Sequence, residues 1–182
     1  ARESPLFRYG LIHSQTGERT VEHSARSLLA RSFCIDEQVL NFLLDRSRLD
    51  DRLVGICEWV EEPIAELEAL PLGLNHWQKL NFLIHDPQTE ACSLLFYFQG
   101  QDGMGQREVA EALAGEKGNS LLVFNLAKAI QHELPFDQLV RTVFREAWFQ
   151  DAVLYVEGFD VLREGMQAIA REEFLKALVE AV

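Results

Sequence analysis

An unbroken run of strand-forming apolar residues, Leu94, Leu95, Phe96, Tyr97 and Phe98, meets a cluster of three glycines, Gly100, Gly103 and Gly105. A helical pattern follows at once, with Val109, Ala112 and Leu113 spaced to share one face. Strand, glycine turn and helix in immediate succession admit few folds. The spacing predicts a buried strand whose end feeds a tight turn and then a helix N-terminus. Backbone N–H groups in such a turn converge on one point, and the helix dipole makes that point attractive to an anion.

The glycines fit the phosphate-loop spacing G-x-x-x-x-G-K-[ST], with Gly100 and Gly105 in the two required places and Gly103 and Met104 inside the loop. The side chains do not fit. Gln106 stands where lysine would reach the phosphates, and Arg107 stands where a hydroxyl would hold Mg²⁺. The alternative G-x-G-x-x-G spacing fails at Glu108. Roughly fifty residues on, DAVLYVEGFD gives a second buried-strand run ending in Glu157 and Gly158.

Together these segments resemble the first part of an AAA+ ATPase module. LLFYFQGQDGMGQREVAEALA is similar to a degraded Walker A motif, and AVLYVEGFDVL to a degraded Walker B motif. The pattern is similar to the first of two modules in large bacterial AAA+ proteins, some of which accompany contractile injection systems. The stretch SPLFRYGLI to LLDRSRLDDRL resembles the winged-helix-like segments that precede such modules.

The resemblance implies an α/β P-loop fold, a parallel sheet sandwiched between helices in three layers, over residues 73–182. It implies a small, mostly helical, winged-helix-like region over 1–72. It implies Mg²⁺ with ATP or ADP, held by Gly100, Gly103, Met104, Gly105, Gln106 and Arg107, with Glu157 at the Walker B position. It also implies a ring-forming parent ATPase with a protein client. Further strands, a sensor residue, an arginine for a neighbouring subunit and a helical lid have no room here, so a piece of a longer protein is expected.

The substitutions weigh against catalysis. Loss of the lysine removes a charge-assisted contact, so nucleotide binding is expected to be weak or absent. Hydrolysis needs a positioned metal and an oriented water, and both supporting side chains are missing at Arg107 and Gly158. Two functions follow. One is a structural or regulatory module of a larger remodelling ATPase. The other is a working ATP-binding segment in which Arg107 and Glu157 replace the usual residues. A winged-helix adaptor is a third. Asp160 is expected to face solvent or cap a turn, and Asn125 to make a turn hydrogen bond.

Composition narrows the remaining classes. A net charge of −12 opposes nucleic-acid and anionic-membrane binding. Residues 1–50 carry as many acidic as basic side chains, so Arg2, Arg8, Arg19, Arg26 and Arg31 do not make a DNA-binding surface. No apolar run reaches the roughly 20 residues of a spanning helix. Cys34, Cys57 and Cys92 are few and scattered, as expected of reduced, buried thiols in a cytoplasmic protein. His132-Glu133 is not a zinc-binding pair, because Pro135 interrupts the helix.

Local patterns supply the other elements. Strands are expected at 6–13 and 27–35, pairing as a hairpin or wing, and Asp36 is expected to cap a helix carrying Val39, Leu40, Leu43 and Leu44. Leu53, Ile56, Cys57 and Val60 predict a helix ending before Pro63, with the acidic tract 58–68 as a solvated face. A helix over 76–85 capped by Asn75, a strand at 121–127, a helix over 136–149, a strand at 152–157 and a helix over 164–182 complete the order. Trp59, Trp77 and Trp148 are placed on apolar helical faces.

Overall fold

The structure is a computed structural model that describes residues 4–15, 32–46, 48–86, 94–100, 103–162 and 168–181. It divides into two compact units, 1–50 and 51–182.

In the first unit the expected strand at 6–13 splits. Pro5 occupies the first turn of a short helix, α1 (Pro5–Arg8), where its missing N–H costs nothing. Gly10, at φ +63°, turns the chain into β1 (Ile12–Gln15). β1 pairs antiparallel with β2 (Ser32–Ile35), and Phe7 and Phe33 meet edge to face at 5.4 Å. Asp36 then caps α2 (Glu37–Leu43) by accepting the Gln38 N–H at 3.1 Å. The first part of the predicted 27–35 strand and the arginines at 2, 19, 26 and 31 lie outside the described residues.

The second unit holds a three-stranded mixed sheet in the order β3–β4–β5: Cys57–Val60, Leu121–Asn125 and Val153–Glu157. β4 and β5 are parallel, as expected of strands joined through a helix. β3 is a correction. Residues 53–60 were expected to be helical, but Gly55 turns at φ +86° and Cys57–Val60 run antiparallel to Leu121–Phe124. Trp59 therefore lies on a strand. The acidic tract leaves β3 as irregular chain and a 3₁₀ turn at Leu67–Ala69, not as a helix.

The helices are α3 (Leu74–His85), α4 (Gln106–Glu116), α5 (Leu126–Ile130), α6 (Phe136–Phe149) and α7 (Ala168–Ala181). Gly73, not Asn75, holds the cap position of α3. The strand predicted at 121–127 stops at Asn125, whose side chain accepts the Lys128 N–H at 2.9 Å and starts α5. Trp148 is 75% exposed and so is not a core residue.

β4 is the centre of the core. Leu121, Leu122, Val123 and Phe124 are all at most 2% exposed. Strand alternation sends Leu121 and Val123 to one face, where Ala110 and Ala114 of α4 pack against them. Leu122 and Phe124 face the other way and are just as buried, so both sides of β4 are covered. A second cluster joins Leu67, Ile84, Val109, Ala112 and Leu113, with Phe96 and Phe98 against it.

The segment expected to be the central strand is a second correction. The burial of Leu94–Phe98 alternates: Leu94, Phe96 and Phe98 are half-buried, while Leu95 and Tyr97 are exposed. A strand's pleat alternates in this way. Yet among the described residues no strand pairs with it and no backbone hydrogen bond reaches it. It is held by side chains alone, including Tyr97 against Phe159 at 6.4 Å between rings.

Candidate glycine-loop site

Two glycines before α4 have left-handed backbone. Gly103 and Gly105 take φ +78° and +91°, in the left-handed region that side chains disfavour. Gly105 sits at the cap of α4, and its carbonyl accepts the Val109 N–H at 3.0 Å as the first helical bond. Gly100 lies close to the end of the Gln106 side chain. A Cβ there would lie 3.0 Å from the Gln106 amide nitrogen. Gln101 and Asp102 lie outside the described residues.

What fills the loop is its own side chain. The Gln106 carboxamide folds back over it, and its Oε1 accepts the Met104 N–H at 3.1 Å. A neutral amide thus takes up a donor of the kind that an anion would use. Glu108, in the first turn of α4, brings a carboxylate oxygen to within 3.9 Å of where a Gly105 Cβ would stand. The positive end of the helix faces a carboxylate of the same chain.

Arg107 is turned elsewhere. Its Nη1 and Nη2 donate to the two carboxylate oxygens of Glu58 on β3, at 3.0 and 2.5 Å, and its Nε donates to Glu111 at 3.0 Å. This is the side-by-side fork that suits guanidinium and carboxylate. Glu58 is held below the usual carboxylate range, chiefly by the hydrogen bonds from Arg107; burial opposes this, and the charges of Arg107 and then Lys128 add smaller contributions in the same downward direction. The same contacts raise Arg107 further. Substitution of Arg107 for the missing lysine therefore does not occur in this conformation.

Across the sheet, Asn125 and Glu157 stand opposite each other at the ends of β4 and β5. Asn125 Nδ2 donates to Glu157 Oε1 at 2.6 Å. Asn125 thus does more than the expected turn bond, because it also holds the Glu157 carboxylate at the end of β5. The next residue, Gly158, has φ +74°. A residue with a Cβ would be strained at this position. Asp160 is exposed in the following 3₁₀ turn, Phe159–Leu162. His132 accepts the Leu134 N–H at 3.1 Å, as a turn residue.

The structure thus gathers Gly100, Gly103, Met104, Gly105 and Gln106 into one loop, separates Arg107 from it, and ties Glu157 to Asn125. Sequence reasoning missed Glu58, Glu108 and Glu111. The four-residue step from Arg107 to Glu111 is a signal for a helical ion pair. Nothing in sequence links Arg107 to Glu58, 49 positions away. Among the described residues no cluster of His, Cys, Asp and Glu could hold a metal ion, and no helix is long and apolar enough to cross a membrane.

Comparison with known families gives one match: residues 1–57 are similar to a variant of the winged helix domain. The hairpin β1–β2 and helices α1 and α2 lie within it. No curated protein and no solved structure matches the chain.

Proposed function

We propose that the second unit is a degenerate P-loop module, related to AAA+ ATPases, that serves as a structural or regulatory part of a larger ATP-dependent remodelling protein. The observation that carries this reading is the state of Gln106 and Arg107. Both side chains at the nucleotide-handling positions are engaged with the protein itself, one over the loop and one on Glu58. The positive-φ glycines and the parallel β4–β5 pair support descent from a phosphate-binding loop. The left-handed Gly158 speaks against hydrolysis.

On this reading the module works in the cytoplasm, assembles with an active module of the same protein in a ring, and acts on a protein client. The winged-helix-like region serves in docking, since the chain is strongly acidic and its first fifty residues are neutral overall. The test is calorimetry of ATP and ADP, with and without Mg²⁺, on the native chain and on Gln106→Lys. The expected result is no binding at millimolar nucleotide by the native chain and measurable binding by Gln106→Lys. Micromolar ATP binding by the native chain would overturn the silent-module reading in favour of an ATP-binding segment. Failure of a folded Gln106→Lys to bind would remove the phosphate-loop assignment.

A further inference from the structure

Arg107 is the cation nearest in sequence to the glycine loop, being the second residue of the helix that the loop starts. Its guanidinium, however, is taken by a carboxylate from a different part of the sheet. We propose that Glu58 is an electrostatic latch, which keeps the loop silent by holding Arg107 on β3 and away from any polyphosphate anion. This rests on the phosphate-loop reading above and concerns how that site is regulated.

Three observations carry the latch. The contact is two-pronged, with Nη1 and Nη2 each on its own oxygen of Glu58. It comes from the outer strand of the sheet, because β4 is the one strand that pairs with β3 among the described residues. It is accessible, since the Glu58 side chain is 58% exposed and that of Arg107 36%. An exposed ion pair is weak enough to be exchanged for another. Glu111 cannot replace Glu58 as the latch. It lies four residues along the same helix and holds only Nε, so it leaves the two terminal nitrogens to turn. A planar, permanently charged guanidinium freed at this position is suited to two phosphate oxygens at once.

Glu58 opens the tract that continues through Glu61, Glu62, Glu66 and Glu68. A basic side chain from a protein partner that captured Glu58 would release Arg107 as surely as a mutation does.

The experiment is titration of inorganic pyrophosphate and ADP into the full 182-residue chain by calorimetry at low salt. The variants are Glu58→Ala, Glu58→Gln, Glu58→Ala/Arg107→Ala and, as a measure of the loop itself, Gln106→Lys. Far-ultraviolet circular dichroism establishes which variants are folded, and Glu58→Gln keeps the shape of the side chain should Glu58→Ala unfold. The latch predicts that loss of the Glu58 charge tightens pyrophosphate binding about tenfold or more, the usual effect of one charge-assisted contact, and that the double variant loses the gain. A gain that persists without Arg107 overturns the latch, because it would come merely from removing a negative charge. No gain in the Glu58 variants, with binding by Gln106→Lys, overturns the latch and leaves the phosphate-loop reading standing. No binding by any folded variant overturns both.

Discussion

Asn125 joins two parts of the site, and Asn125→Asp separates their energies. In the native protein its Oδ1 accepts from Lys128 N at 2.9 Å, and its Nδ2 donates to Glu157 at 2.6 Å. Aspartate keeps the first contact, because a carboxylate is at least as good a helix cap. It reverses the second by placing two carboxylates side by side. Allowing relaxation to about 4 Å, the repulsion is about 1 kcal/mol if the pair is fully hydrated and about 4 kcal/mol at the effective dielectric of a protein surface. Both residues are half-buried, so a loss of about 2–3 kcal/mol is expected near pH 7. The sign with pH is fixed. In the folded variant the pair retains a proton to higher pH than in the unfolded chain. The penalty is therefore full above that raised value and shrinks as pH falls through it toward the ordinary carboxylate range of about 4. A protonated carboxyl can also donate where the amide did. Asn125→Ala instead loses the cap, about 1 kcal/mol, at every pH. Urea unfolding followed by tryptophan fluorescence measures this directly, because Trp59, Trp77 and Trp148 all lie in the second unit. If Asn125→Asp and Asn125→Ala lose the same stability at about pH 7 and about pH 4.5, the Asn125–Glu157 contact is not as described.

The unpaired segment predicts an uneven pattern of amide hydrogen exchange. Leu94–Phe98 should exchange far faster than Leu121–Phe124 in the central strand, despite similar composition, and equal protection would show that the segment is paired after all. Cys57 predicts a slow thiol, since burial, reinforced by the Glu146 carboxylate, pushes it up to about 12. With Cys34 and Cys92 replaced by serine, the folded chain should react with a thiol reagent at about pH 8 orders of magnitude more slowly than the unfolded chain. Its share of stability should be complete below the unfolded value of about 8.5 and fall as pH rises from there toward about 12. Rapid labelling of the native protein would contradict the burial.

Where local pattern and long-range pairing agree, the sequence was easily legible. The helix over 136–149 matches α6, and 152–157 matches β5 within a residue, because an amphipathic stripe and a buried apolar run are local signals. β3 was misread since Leu53, Ile56 and Val60 fall at helical spacing. The pairing of Cys57–Val60 with residues more than sixty positions away has no local trace. For 94–98 the error had the opposite sense. Composition agrees with the alternating burial of these residues, but it does not supply a partner for the backbone, and none pairs with it among the described residues. The site divides in the same way. The absence of lysine at 106 and of glutamate at 158 could be read directly. The bond from Met104 N–H to the Gln106 side chain and the engagement of Arg107 by Glu58 are both tertiary facts.

Those tertiary facts decide how far the proposed loss of function can be reversed. Gln106→Lys is the simplest, because the side chain starts at the first residue of α4 and already reaches back to Met104. Arg107→Thr is harder. It restores a hydroxyl, but it leaves Glu58 and Glu111 without their cation, and two unpaired carboxylates beside a loop meant for phosphate oppose the ligand. Gly158→Glu is hardest. At φ +74° a residue with a Cβ costs about 1–2 kcal/mol, and although the nearest atom to that Cβ, Ala127 N, is at an ordinary 3.8 Å, the backbone still directs the side chain along an unaccustomed path. Anion binding therefore lies one substitution away on the proposed reading, whereas hydrolysis requires the backbone after β5 to change as well. A chain that had lost only its side chains would regain the two together. This one should regain binding without turnover, which makes a nucleotide-sensing role easier to recover than an enzymatic one.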